Sequence, residues 1–210
     1  MNLSHLFNQY KSLAANADQA FNKMTEEYGA DIKCSPGCSD CCHAMFGLFL
    51  IEAVYLQKNF IELGRNERRI VIQRCKKADR DISNLEKRLH RNNNGKQTEG
   101  YSLARERIRC PLLNDRMECC LYPYRPITCR VYGIPALIQG KAHVCHKSGF
   151  KKGKYYPVFD LDGIFKELFH LSRELIQSSP RGNQENASLL ISVSKAIQTP
   201  AEDIINESFV

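Results

Sequence analysis

The sequence has no tryptophan, no low-complexity segment and no long apolar run. Its longest apolar stretch, "AMFGLFLI" from Ala44, is far shorter than the roughly 20 residues with which a helix crosses a bilayer. The N-terminus also lacks the basic start and the apolar core of a secretory signal. We therefore expect a cytoplasmic protein without a membrane partner.

Apolar residues recur at helical spacing over much of the chain. The pattern predicts helices over 3–28, from about Ile51, beyond Gly64, between 97 and 109, around 164–175 and over 186–197. A small hairpin is expected to turn at Gln139 and Gly140. The predicted fold class is therefore mainly α, with irregular cysteine-rich loops framed by helices and a small β-hairpin.

Ten of the 210 residues are cysteine, and nearly all of them fall in three stretches between the predicted helices. These stretches are 34–42, with the sequence "CSPGCSDCC", 110–129, and Cys145. In a reducing compartment closely spaced cysteines are more often metal ligands or catalytic groups than disulfides. Irregular backbone can also wrap around an ion and aim N–H groups at bound sulfur, so the distribution favours metal binding.

The first stretch has the spacing CxxxCxxC at Cys34, Cys38 and Cys41, which can direct three sulfurs at one centre. Cys42 must point elsewhere, because neighbouring side chains diverge. The adjacent pair therefore indicates two metals, a cluster of several irons, or one ligand beside a spectator.

The second stretch places Cys110, Cys119 and Cys129 nine and ten residues apart. Its "YPYRP" segment favours extended or turned backbone, because proline constrains both itself and the residue before it. Arg125 and Arg130 flank the last of these cysteines. Fixed cations beside several thiolates would lower the pKa values of the thiols and offset the negative charge of a thiolate centre.

Together "CSPGCSDCC" and "CPLLNDRMECCLYPYRPITCRVY" resemble the bacterial YkgJ-like cysteine-cluster family, which is described as a zinc- or iron-chelating domain. That family has CxxxCxxCC followed by a segment that ends in CxxYxxRPxxCR. The resemblance covers about residues 34–145 and leaves Cys120 as an extra cysteine, which we take as a spectator. By position it implies metal ligation by Cys34, Cys38, Cys41, Cys42, Cys110, Cys119, Cys129 and Cys145, with Tyr122, Arg125 and Arg130 beside the metal.

The chemistry of the metal is argued from the spacing. Zinc takes four tetrahedral ligands, often as two CxxC-like pairs, whereas this sequence has one such pair, Cys38 and Cys41. Iron-sulfur clusters are bound by cysteine thiolates, frequently three from one loop and a distant fourth. We therefore favour a protein that holds one or more iron-sulfur clusters and has a redox or electron-transfer role.

Three alternatives remain open. The first is a structural zinc-binding protein that presents a partner-binding surface. The second is an S-adenosylmethionine-dependent methyltransferase, because the cysteine pattern is similar to that of the flagellin lysine N-methylases. The third is a structural disulfide network.

Three histidines lie close to the cysteines in sequence, and a further cysteine lies on a predicted helix. His43, His143 and His146 could each replace a thiolate as a ligand, although such histidines are more often exposed or supporting groups. Cys75 falls on the apolar stripe of the helix beyond Gly64. Because a buried free cysteine behaves as a small hydrophobic residue, we expect Cys75 in the core.

The metal hypothesis also bears on the expected domain and partners. We predict a single domain over 1–210, with a metal-binding core at about 30–150, an N-terminal helix at 3–28 and C-terminal helices at 160–208 packed on the core. The formal net charge of +7 counts cysteines as neutral, and eight bound thiolates would cancel it. We therefore expect a protein or redox partner rather than nucleic acid.

Overall fold

The computed structural model describes residues 3–92, 106–180, 182 and 184–206, and this part of the chain is mainly helical, as predicted. The helices are α1 (Ser4–Tyr28), α2 (Leu50–Phe60), α3 (Arg65–Asn92), α4 (Ile127–Val131), α5 (Leu161–Gln177), α6 (Val193–Gln198) and α7 (Ala201–Ile205). Among the described residues, no helix combines the length and the apolar character needed to cross a bilayer.

Helix α2 lies at the centre of the fold because it is apolar on nearly all sides. Leu50, Ile51 and Val54 are fully buried, and the helix contacts α1, α5, α6 and α7. A helix without a wide polar face needs partners around its whole circumference. The chain supplies them from both ends, since α1 is N-terminal and α5, α6 and α7 are C-terminal.

The two longest helices match the apolar patterns that predicted them. Helix α1 confirms the helix over 3–28, and α3 confirms the one beyond Gly64. Cys75 on α3 is fully buried, as expected of a core residue. The hydroxyl of Ser194 on α6 donates to the Cys75 carbonyl at 3.1 Å, which ties α6 to α3.

The predicted hairpin is present as strands β1 (Ala136–Ile138) and β2 (Lys141–His143), which pair antiparallel. Its two turn residues, Gln139 and Gly140, have φ angles of 52° and 70°. Positive φ at both central residues is typical of the tight turn whose twist matches a two-stranded sheet. The Asp162 carboxylate accepts both turn N–H groups, at 2.8 and 2.9 Å, and thereby attaches the hairpin to α5.

The predicted helix over 186–197 is wrong, because the structure divides this stretch into a 3-10 helix at Gln184–Ser188 and the short helix α6. Between them Ile191 exchanges main-chain hydrogen bonds with Leu48, at 2.8 and 3.0 Å. An extended residue that pairs with a distant segment cannot also continue a helix. Of the helix predicted between 97 and 109, residues 97–105 lie outside the described residues, as do residues 207–208 of the predicted C-terminal helices.

A buried carboxylate joins α2 to α4. Glu52 is 3% exposed, and it accepts the backbone N–H of Phe49 at 3.3 Å and that of Ile127 at 3.0 Å. The first bond satisfies an N–H at the start of α2, and the second holds the first turn of α4. Because α4 carries Cys129 and Arg130, Glu52 fixes the position of two of the predicted site residues.

The ionisation of Glu52 predicts a pH dependence of stability. Burial raises the pKa of Glu52 from 4.5 to about 7, against the opposing effects of the two N–H groups and of Arg130. The unfolded chain therefore releases this proton at lower pH than the folded protein does, and the free energy of unfolding falls as pH rises from about 4.5 to about 7. The loss is about 3 kcal/mol.

We expect Glu52→Gln to remove this dependence. Urea unfolding at about pH 5 and at about pH 8 should show that the variant gains about 2.5 kcal/mol relative to the unsubstituted protein between these two pH values. The variant is expected to be the less stable of the two at the lower pH, because its amide NH2 cannot accept the second N–H. Parallel pH curves for the two proteins would contradict the assignment.

Candidate metal centre

The first two cysteine stretches meet along a short main-chain pairing. Cys41–His43 form one turn of 3-10 helix, and the segment before Cys110 runs beside it. The N–H of Cys110 donates to the Cys42 carbonyl at 2.7 Å, and that of Ile108 donates to the His43 carbonyl at 3.1 Å. Cysteines that are far apart in sequence are brought together by these bonds.

A cavity of about 260 Å³ opens at this junction. Much of its wall is apolar and includes Met45, Phe46 and Ile82, and Arg125 also reaches it. Five of the eight cysteines that were predicted as ligands line it, namely Cys41, Cys42, Cys110, Cys119 and Cys129. These thiols come from the first two stretches and form one group, which we call the five-thiol cavity.

All ten cysteines are free thiols, and burial keeps most of the cavity thiols protonated. It raises the pKa of Cys110 to about 12 and that of Cys119 to about 11. The pKa of Cys129 is also raised, first by burial and then by the charges of Cys41, Cys110 and Cys119. Several thiolates cannot share a low-dielectric space unless a cation lies among them, and a bound metal provides that cation.

Cys41 is the exception within the cavity. The Cys41 and Cys42 thiols share a hydrogen bond, which lowers the pKa of Cys41 and raises that of Cys42. This pair therefore loses its first proton more readily than the other cavity thiols do, and the thiolate is the form that binds metal. Although side chains of neighbouring residues diverge, Cys41 and Cys42 both reach the cavity.

The remaining predicted ligands, Cys34, Cys38 and Cys145, are not among the described residues that line the cavity. They form a second group around Asp40. Burial raises the pKa of Cys34 to about 11, and the charge of Cys38 adds to this rise. The pKa of Cys145 is raised first by burial, then by Asp40 and then by the charge of Cys38. Of the three CxxxCxxC cysteines, Cys41 lines the cavity, and its charge also contributes to the raised pKa of Cys34. That all three sulfurs bind one centre stays a prediction.

Gly133 makes room for this second group. A side chain at Gly133 would overlap the Cys34 sulfur, so glycine there lets the α4–β1 connection pass close to the first cysteine stretch without moving that side chain. A main-chain bond of 2.6 Å from Gly149 to the Asp31 carbonyl then joins the loop that carries Cys145 to the residues just before Cys34. The third cysteine stretch is thereby held against the first.

Asp40 is a site residue that the sequence analysis missed. It is 5% exposed and pairs with Arg107 and Lys147. Although burial alone raises the pKa of Asp40, the hydrogen bond and charge of Arg107 outweigh it and hold that pKa at about 2. The sequence could have pointed to Asp40 through its position between Cys38 and Cys41, because metal sites often combine carboxylate and thiolate ligands.

One acidic residue of α1 holds both predicted arginines. Asp18 accepts from Arg125 at 3.1 Å and also pairs with Arg130. Arg130, which is 6% exposed, further donates to the carbonyls of Arg125 and Pro123, at 3.0 and 2.7 Å. Arg125 thus lines the cavity with its position fixed, whereas Arg130 supports the turn before α4.

The other predicted residues have less direct places. Tyr122 is exposed, and its ring stacks against the Arg125 guanidinium. The guanidinium carbon Cζ lies 4.1 Å from the centre of the tyrosine ring. The Cys120 thiol interacts with Glu67 and Arg74 and is not among the described residues that line the cavity, so its role as a spectator stays a prediction. Two of the histidines remain beside the cysteine stretches without a ligand role in the described geometry. His43 donates from Nδ1 to the Ser39 carbonyl at 2.9 Å, and His143 is exposed on β2.

His146 is the histidine that comes close to other metal-binding groups. The ligand atoms of Asp40, Cys145 and His146 all lie within 4.8 Å of one another. Thiolate, imidazole and carboxylate are all common ligands of transition metals in proteins. The structure is therefore compatible with metal binding at this group.

Comparisons with known proteins add no relative, since no family model, no curated protein and no solved structure matches the chain.

Removal of the Asp18 carboxylate is expected to destabilise the protein. In Asp18→Asn the buried Arg130 loses its negative partner, and a buried charge without one is unfavourable. We expect the free energy of unfolding to fall by about 2 kcal/mol in urea unfolding experiments, a value that allows for the partial exposure of Asp18.

The matched control is Glu26→Gln, an exposed acidic residue on the same helix. This change should stay within about 0.5 kcal/mol of the unsubstituted protein. Equal effects of the two substitutions would show that Asp18 does not support the arginines.

Proposed function

We propose that the chain is an electron-transfer protein that holds an iron-sulfur cluster in the five-thiol cavity. One observation supports this most directly: five thiols surround a single cavity of about 260 Å³. Small-molecule and cofactor sites are typically concave and mostly apolar, with a few polar groups that converge on them. A cavity of this size with such a lining is therefore best explained as a binding site.

The volume favours a cluster over a single zinc ion. Four sulfurs about 2.3 Å from one zinc close around it completely, and a structural zinc site leaves no such space. A cluster also contains inorganic sulfide and several irons, which need room among the thiolates. The all-sulfur donor set at the cavity and its apolar wall are both typical of iron-sulfur sites.

We assign Cys41, Cys110, Cys119 and Cys129 as the cluster ligands. Cys42 is then the fifth thiol, whose hydrogen bond to the Cys41 sulfur would remain as a supporting interaction. Hydrogen bonds to ligand sulfurs tune the reduction potential of a cluster. Arg125 contributes a fixed positive charge at the cavity wall, which offsets part of the negative charge of four thiolates.

A cluster at this site would supply one-electron oxidation and reduction, and a protein redox partner is part of the proposal. All five cavity thiols belong to the two segments that resemble the YkgJ-like family, so we also propose membership of that family. The protein contributes the ligands, the apolar wall that limits water, and the arginine that balances charge.

Anaerobic purification with iron, sulfide and zinc analysis tests the proposal. We expect a brown protein with equal amounts of iron and acid-labile sulfide, whose visible absorption bleaches on reduction with dithionite. A colourless protein with stoichiometric zinc and no sulfide would overturn the electron-transfer proposal in favour of a structural zinc protein.

The adjacent residues Cys119 and Cys120 provide a matched pair of variants. Cys119→Ser removes a cavity thiol and should abolish most of the bound iron and sulfide, whereas Cys120→Ser alters the thiol beside Glu67 and Arg74 and should retain them. Circular dichroism checks that both variants are folded. Equal loss of iron from the two would contradict the assignment of the ligands.

A further inference from the structure

We propose a second, separate metal site, in which Asp40, Cys145 and His146 bind one divalent cation of the zinc class. The site shares none of its ligands with the five-thiol cavity. It does not depend on the iron-sulfur proposal and would remain if the cavity held another metal.

The interatomic distances match those between ligands of a tetrahedral zinc ion. Asp40 Oδ2 lies 3.5 Å from Cys145 Sγ and 3.6 Å from His146 Nδ1. With zinc–sulfur bonds of about 2.3 Å and zinc–oxygen or zinc–nitrogen bonds of about 2.0 Å, tetrahedral geometry places sulfur and oxygen about 3.5 Å apart, and nitrogen and oxygen about 3.3 Å apart. These three ligand atoms thus need little movement to bind one ion.

The two carboxylate oxygens of Asp40 have different partners. The cations Arg107 and Lys147 both contact Oδ1, whereas Cys145, His146 and the Tyr132 hydroxyl contact Oδ2. A ligating carboxylate is commonly oriented in this way, with one oxygen held by the protein and the other directed at the metal. A plain ion pair between Asp40 and the two cations would not require a thiol and an imidazole at the other oxygen.

Three protein ligands leave the fourth tetrahedral position open to a water molecule, as in zinc sites that stay accessible to solvent. Ser148 donates from both its N–H and its hydroxyl to the Cys145 carbonyl, at 2.9 and 2.7 Å, and so shapes the loop that carries Cys145 and His146.

The donor set distinguishes this site from the cavity. One thiolate, one imidazole and one carboxylate suit zinc and similar divalent ions, whereas clusters are bound predominantly by thiolates. The His146 side chain is 66% exposed. An ion can therefore reach the site from solvent, which fits a mononuclear site better than a cluster shielded from water.

Cobalt(II) alone is the probe, because its complexes with thiolates absorb strongly whereas those of zinc are colourless. We expect the purified protein, with its cavity metal in place and without bound zinc, to bind one equivalent with a thiolate-to-cobalt absorption band that added zinc removes. His146→Ala should weaken cobalt binding at least tenfold. His143→Ala, a substitution of an exposed histidine three residues earlier, should leave it unchanged.

Two further variants keep the outcome unambiguous. Asp40→Asn should weaken the same band and, if His146→Ala proves unfolded by circular dichroism, replaces it in the comparison. Cys119→Ser should retain the His146-dependent band after losing iron and sulfide, which separates failure of this site from failure of the cavity. Absence of a thiolate-to-cobalt band, or equal cobalt affinity of His146→Ala and His143→Ala, would overturn the proposal.

Discussion

Several thiols share one largely apolar cavity, and they cannot all ionise there unless a cation lies among them. In the metal-free chain this constraint is met by protons, since burial raises the pKa values of Cys110, Cys119 and Cys129. Cys41 alone is acidified, by the hydrogen bond that it shares with Cys42. A metal that replaced the protons would convert an unfavourable group of buried thiols into a stabilising centre, and folding and metal binding would then be linked.

The helices hold the chain so that this group can form. Helix α4 is short and carries Cys129, and it is anchored from two sides by acidic residues of other helices. Glu52 of α2 accepts the N–H at its first turn, and Asp18 of α1 pairs with Arg130 within it. A five-residue helix has little stability of its own, so its position depends on these buried polar contacts.

The two groups of cysteines illustrate how a loop divides its side chains. Within "CSPGCSDCC" the 3-10 turn that begins at Cys41 is paired with the segment before Cys110, which directs Cys41 and Cys42 to the cavity. Asp40, the residue before them in sequence, instead contacts Cys145. Residues that are close in sequence thus belong to different groups. Cys41 and Cys129, in contrast, are 88 residues apart in the chain and line the same cavity.

The sequence by itself determined the helical framework and the chemical type of the site. Apolar periodicity defines α1 and α3 because burial of one face requires it, and the turn at Gln139 and Gly140 follows from local backbone preference. Cysteine composition likewise indicates thiol chemistry without any coordinates. Tertiary structure alone decided which cysteines share a cavity, that Asp40 and His146 join Cys145, and that Ile191 interrupts a helix by pairing with Leu48. These features depend on contacts between residues far apart in the chain, and neither spacing nor propensity contains that information.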